Sequence, residues 1–242
     1  MGAAQPPSWS VLQRRHRAVA GNTVRAAVLG ANDGLVSNLS LVAGVAGAAL
    51  ESRIVFITGL TGLFAGAGAM AMGEWISVQT SRELHMRELA LEAEEIERFP
   101  QEETAELAGL YEERGLPAAG ARELAESVMT DPRTALGVMA REELGIDADE
   151  LGGSAYRAAG SSAALFCMGA VVPIVPFAVG SVTAALAASV AASVLALFLL
   201  GALVTRLTGR SPLRSGLRQV LFGLGAAAFT YAIGRVVGLA VG

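Results

Sequence analysis

Residues 54–98 read IVFITGLTGLFAGAGAMAMGEWISVQTSRELHMRELALEAEEIER, and the stretch changes character midway without a residue that stops a helix. Up to Ser77 it is apolar, glycine-rich and long enough to cross a bilayer, which takes about 20 helical residues. Beyond Ser77 it is dense in Glu and Arg, and no proline intervenes before Pro100. The simplest reading is one helix that leaves a membrane and continues into an acidic polar segment.

The charge distribution extends that reading to the whole chain. Of 242 residues, 53% are hydrophobic and 17% charged, too few charges for the surface of a soluble domain of this size. Residues 82–157 hold 19 of the 22 acidic residues and 8 of the 18 basic ones, a net −11, while the remainder nets +7. One acidic insert therefore sits between apolar blocks with basic edges. All basic residues are Arg, and the single cysteine, Cys167, excludes an intramolecular disulfide. The polar, Arg-bearing Met1–Ala20 segment has no apolar core and does not read as a cleavable signal peptide.

Five stretches are long and apolar enough to span: Val24–Leu50, Ile54–Ser77, Ala158–Gly180, Val182–Thr205 and Leu217–Val237. The expected fold class is all-α, a polytopic membrane protein with five transmembrane helices and a helical insert. The corresponding divisions are an N-terminal segment 1–23, spans one and two in 24–80, the metal-binding insert in 81–156, and spans three to five in 157–242. Arg14, Arg15, Arg17 and Arg25 precede the first span, and Arg206, Arg210, Arg214 and Arg218 fill the fourth–fifth connection. The positive-inside rule then places the N-terminus, the insert and that connection in the cytoplasm. Within the insert, helices are expected at Gln101–Arg114, at Ala118–Met129, and from the Thr130-Asp131-Pro132 start to about Leu144.

Two of the spans contain carboxylates. Asp33 lies about 12 Å beyond Arg25 at 1.5 Å per residue, a costly depth that marks a functional candidate. Ser37, Ser40, Gly44 and Gly47 continue its face as a small, polar stripe. The competing reading is an Asp that caps a break or pairs with an Arg. The second span runs the other way, and Met70 comes out about 13 Å from its cytoplasmic end, level with Asp33. Glu74 is one turn nearer the cytoplasm on the same face. Gly59, Gly62, Gly66, Gly73 and Ser77 suit close helix packing. Carboxylate oxygen with thioether sulfur favours a borderline transition metal over Mg²⁺ or Ca²⁺.

In the insert, Glu88, Glu92 and Glu95 share one helical face; Glu103 and Glu106 share another, and Met139, Glu142 and Glu143 lie together on a third helix. Glu94, Glu97, Glu112 and Glu113 read as ordinary solvated charge. Like charges at helical spacing repel, and several such faces in one small domain make sense if divalent cations neutralise them. His16 and His85 are the only histidines and no Glu-x-x-His pair occurs, which leaves a di-iron oxidase bundle unsupported. Nor is there a phosphate-binding loop or a Ser/His/Asp arrangement, so an enzyme is not expected.

The run Asn32-Asp33-Gly34-Leu35-Val36-Ser37-Asn38, with Gly44-Val45-Ala46-Gly47, Gly66 through Val78, and Val171-Val172-Pro173-Ile174-Val175-Pro176, resembles the vacuolar iron transporter family. The resemblance covers nearly the whole chain. It implies a five-span homodimer that moves Fe²⁺, and often Mn²⁺, out of the cytosol in exchange for protons. Asp33 and Met70 match the family's transmembrane metal pair, with Glu74 nearby. Glu92, Glu95, Glu103, Glu106, Met139 and Glu143 match its cytoplasmic metal-binding positions, and Glu88 and Glu142 are their neighbours. Some bacterial relatives carry an N-terminal ferritin-like domain, which the short segment before the first span is expected to lack. In a prokaryote the membrane would be the plasma (inner) membrane.

The expected partners are therefore divalent ions (Fe²⁺, or Mn²⁺, Zn²⁺ or Co²⁺), protons, the bilayer and a second copy, with no nucleic acid and no catalytic cofactor. The alternative is a membrane-anchored metal sensor or store that moves nothing.

Overall fold

The computed structural model describes residues 29–48, 51–146, 154–208 and 211–241, and these are helical nearly throughout. Helix α1 covers residues 29–47. It is followed by α2 (Ser52–Arg98), α3 (Pro100–Glu113), α4 (Ala118–Met129), α5 (Pro132–Glu142), α6 (Ala155–Ile174), α7 (Val182–Thr208) and α8 (Pro212–Val241). No strand occurs among the described residues.

Helix α2 runs unbroken for 47 residues, as the absence of proline before Pro100 requires. Asp131 starts α5 by accepting from the Arg133 and Thr134 N–H groups, with Pro132 at the first helical position. A bond from the Thr134 hydroxyl, followed by those from the Arg133 and Thr134 N–H groups, holds its carboxyl below the usual range. Four helices are long and apolar enough to cross a membrane: α2, α6 with its extension to Ala178, α7 and α8. Of the first expected span, 24–50, residues 29–47 are helical and both ends lie outside the described residues.

The chain divides into two compact units, Met1–Gly73 with Ala159–Gly242, and Glu74–Ala158. The first unit is held by close backbone approach. A Cβ on Gly34 would stand 2.1 Å from the Phe166 carbonyl oxygen, and one on Gly169 would stand 1.9 Å from that of Ala31, so α1 and α6 meet through glycine from both sides. Gly234 brings α8 onto α1 in the same way, at the Gly44 carbonyl. Gly59, Gly62 and Gly66 of α2 face Ile174, Leu41 and Phe166. A Cβ on Gly73 would meet nothing within 4 Å among the described residues.

Several polar side chains in this unit bond to main-chain carbonyls, as an apolar surround favours. Asn38, 2% exposed, donates from Nδ2 to the Gly59 and Ala170 carbonyls at 3.2 and 2.9 Å, strapping α1 to α2 and α6. Thr230 Oγ1 donates to the Ser40 carbonyl at 2.7 Å. The third expected span is not one continuous α-helix. After Pro173 and Ile174 the chain tightens to a 3-10 turn, Val175–Ala178. Pro176 has no N–H to give, and Ser189 Oγ of α7 donates to the Pro173 carbonyl at 2.8 Å. Outward, Phe64, Leu221, Phe222 and Phe229 are each more than three-fifths exposed, an apolar exterior suited to lipid.

The second unit packs Ile96 of α2, Leu107 and Ala108 of α3, Ala125 of α4, and Ala135 and Met139 of α5 into one core. Its two chain ends meet where Trp75 and Tyr156 stack in tilted geometry, ring centroids 6.2 Å apart. Trp75 and Tyr156 both fall within this unit, Glu74–Ala158.

Candidate metal centre

The insert core dictates where the acidic side chains go. Ile96 anchors α2 in that core, and Glu92, one turn earlier on the same face, is carried inward to 3% exposure. Leu107 anchors α3, and Glu103, four residues before it, is 7% exposed. Helix α5 buries Met139 completely, and Glu143, four residues later, is the residue on which that helix ends.

The outcome is a convergence of three helices. Glu92, Glu103 and Glu143 each offer a carboxylate oxygen, and these atoms lie within 4.8 Å of one another. Carboxylates this close oppose one another's ionisation. Burial, then Glu143, Glu103, Glu95 and Glu106, push Glu92 up to about 7 from 4.5. Glu103 is raised by burial, then by Glu106, Glu95, Glu143 and Glu102. Burial and then Glu106 and Glu95 raise Glu143. Among the described residues Glu92 Oε1 is buried without a hydrogen-bond partner, and a buried polar atom of that kind calls for an explanation. A bound cation supplies one. Three or more oxygen donors with no imidazole suit exchangeable divalent ions better than structural zinc.

Of the expected insert residues, Glu95 and Glu106 are exposed yet close enough to act on all three clustered carboxyls. Met139 packs in the apolar core and accepts the Glu143 N–H at its carbonyl, 2.9 Å. Glu88 is exposed, one turn before Glu92. Glu142 turns elsewhere: its carboxylate pairs with Arg114, a cation the sequence reading passed over. The one available signal was that α3 ends on an arginine in an acidic segment. Glu94, read as solvated, pairs with Arg98 at 2.8 Å on the surface.

In the first unit, Asp33 lies on an exposed face of α1, and its carbonyl accepts from Ser37 Oγ at 2.6 Å. Met70 packs against the cluster of Leu63, Ala67, Phe166, Ala170 and Ile174. Its methyl end stands 3.8 Å from where a Cβ on Gly30 would be, one turn before Asp33. The C-terminal part of the Asp33 stripe is partly a packing seam: Gly47 abuts the Tyr231 carbonyl of α8. Glu74 is half-buried on α2 and belongs to the second unit. Asn38 was legible only as part of a motif; its strapping role needed the fold.

The sequence pattern of the VIT family matches residues 24–235. Vacuolar iron transporter 2 of Oryza sativa subsp. japonica is 32% identical over 219 residues, 90% of this chain and 89% of that protein. Vacuolar iron transporter 1 of Tulipa gesneriana is 30% identical over 235 residues, 96% and 95% of the two chains. Vacuolar iron transporter 1 of Arabidopsis thaliana is 30% identical over 219 residues, 90% and 87%.

Proposed function

We propose that this chain, which belongs to the VIT family, moves divalent iron out of the cytosol across a membrane in exchange for protons. The observation that carries the reading is the convergence of the Glu92, Glu103 and Glu143 carboxylates, the first two buried and the third exposed, with a Glu92 oxygen that has no partner among the described residues. An acidic cluster held together in an otherwise destabilising arrangement is what a cation-gathering domain requires. The names of the similar plant proteins support iron as the cargo, and Mn²⁺ is a second substrate under this reading.

In the proposed arrangement five spans cross the bilayer, residues 24–50 forming the first. The N-terminus and the insert 81–156 face the cytoplasm. Glu92, Glu103 and Glu143, with Glu95, Glu106 and Met139 beside them, collect the ion. Asp33 and Met70 carry it through the spans, with Glu74 one turn along α2 from Met70, and two copies assemble as a homodimer. In a prokaryotic cell the membrane is the plasma membrane. No enzymatic step is involved.

Proteoliposomes loaded with the full chain test this reading. Fe²⁺ flux should depend on a pH gradient and fall at least tenfold in Asp33→Asn. Undiminished flux in that variant would remove Asp33 from the path. Tight binding by the intact protein with no flux under any gradient would favour the metal sensor or store instead.

A further inference from the structure

The clustered carboxylates of the second unit repel one another, yet α5 ends with Glu143 turned into them. Arg114 stands at the point that keeps it there. Its guanidinium pairs with the Glu142 carboxylate and also donates, through Nη2, to the Glu142 main-chain carbonyl at 3.4 Å. Arg114 is the residue on which α3 ends, and Glu142 is the last residue of α5. Carbonyls in the final turn of a helix lack an intrahelical donor, and a cation there also meets the negative end of the helix dipole.

Glu143 follows Glu142 directly. On its far side the chain is closed by Gly145, at φ +67, and by the Ile146 N–H bonded to the Ala140 carbonyl at 2.7 Å. Glu103 and Arg114 share α3, so the double contact ties the helix that carries Glu103 to the neighbour of Glu143. An exposed ion pair contributes little, but the Glu142 side chain is only 20% exposed and the second bond fixes its backbone as well.

We propose that Arg114 is a positioning residue for the metal centre: it grips Glu142 and thereby holds Glu143 against the repulsion of Glu92 and Glu103. Glu142 is then a strut, not a ligand. The inference rests on the reading of Glu92, Glu103 and Glu143 as a cation site.

The test titrates Mn²⁺ into the full-length protein in detergent micelles, with free Mn²⁺ counted by its electron paramagnetic resonance signal. Arg114→Gln and Glu142→Gln should each weaken binding about tenfold, the lower end of what losing an outer-shell partner costs, with the number of bound ions unchanged. The exchanged pair, Arg114→Glu with Glu142→Arg, should recover most of that loss, which a generally destabilised domain would not do. Arg122→Gln, which removes an exposed pair with Glu126 on α4, should leave binding unaltered.

If Glu142 were a ligand, Glu142→Gln would weaken binding, Arg114→Gln would leave it intact or tighten it, and the exchanged pair would bind worst; that pattern overturns the proposal. If Glu92→Gln weakens binding while all Arg114 and Glu142 variants match the wild type, the metal centre stands and the positioning role is overturned. If Glu92→Gln is also without effect, the metal-centre reading itself fails.

Discussion

At the scale of single residues, Glu92 shows how a fold sets a proton affinity. Burial and four neighbouring carboxylates hold its pKa at about 7 against 4.5 for the free group. Because the folded value lies above the unfolded one, the folded state keeps a proton that the unfolded state has lost between those two pH values. Stability without metal must therefore fall as pH rises through this window. At about 1.4 kcal/mol per unit, the coupled carboxyls around Glu92 together account for roughly a few kcal/mol across this window. Thermal melts of the full chain should show the insert transition moving down from pH 5 to pH 8. Added Mn²⁺ should restore it at pH 8, where Glu92 is mostly ionised. The Glu92→Gln variant, which carries no charge to repel, should lose most of the pH dependence together with the response to the ion. A melt that is flat across this range in the wild type would mean the cluster is not coupled to folding.

Helices as elements show what local pattern could and could not reveal. The uninterrupted α2, the Asp131 cap of α5 and the limits of α4 were all legible, because each depends on residues within a few positions of one another. Glu92 and Glu103 turn inward because they lie one turn from Ile96 and Leu107, which only the packed core reveals as anchors. What escaped depends on distant partners. Pro173 and Pro176 were visible, but the change of α6 to a 3-10 turn is supported by Ser189 from another helix. The pairing of Arg114 with Glu142 joins residues 28 apart, which no periodicity encodes. Glycine is the same case, for its meaning depends on what lies opposite. A Cβ at Gly169 would collide with the Ala31 main chain, whereas one at Gly109 of α3 would meet nothing within 4 Å among the described residues. Gly169→Val should therefore cost about 3 kcal/mol or more by forcing α1 and α6 apart, seen as loss of folded protein in detergent. Gly109→Ala should raise the stability of the insert by about 0.5–1 kcal/mol through helix propensity alone.

The molecule as a whole is organised by charge. An insert of net −11 and a remainder of net +7 are covalently continuous, and the arginine-rich flanks give the proposed orientation. Labelling checks this in intact cells, in a background with Cys167 replaced by Ala. A membrane-impermeant maleimide should modify a cysteine placed at Ser181, in the short connection before α7, and leave one at Glu126 of α4 unmodified until the cells are opened. The reverse pattern would invert the proposed topology and with it the direction of transport.

The contact between Trp75 and Tyr156 has a practical consequence of an optical kind. The chain has two tryptophans, Trp9 and Trp75, so replacing Trp9 with Phe leaves a single indole emitter. That emitter sits 6.2 Å from a phenol ring, well within the range over which excited tyrosine passes its energy to tryptophan. Light absorbed by Tyr156 therefore emerges at the wavelength of Trp75 only while the two ends of the insert stay together. The protein carries its own fluorophore pair where the two chain ends of the second unit meet, with no dye attached.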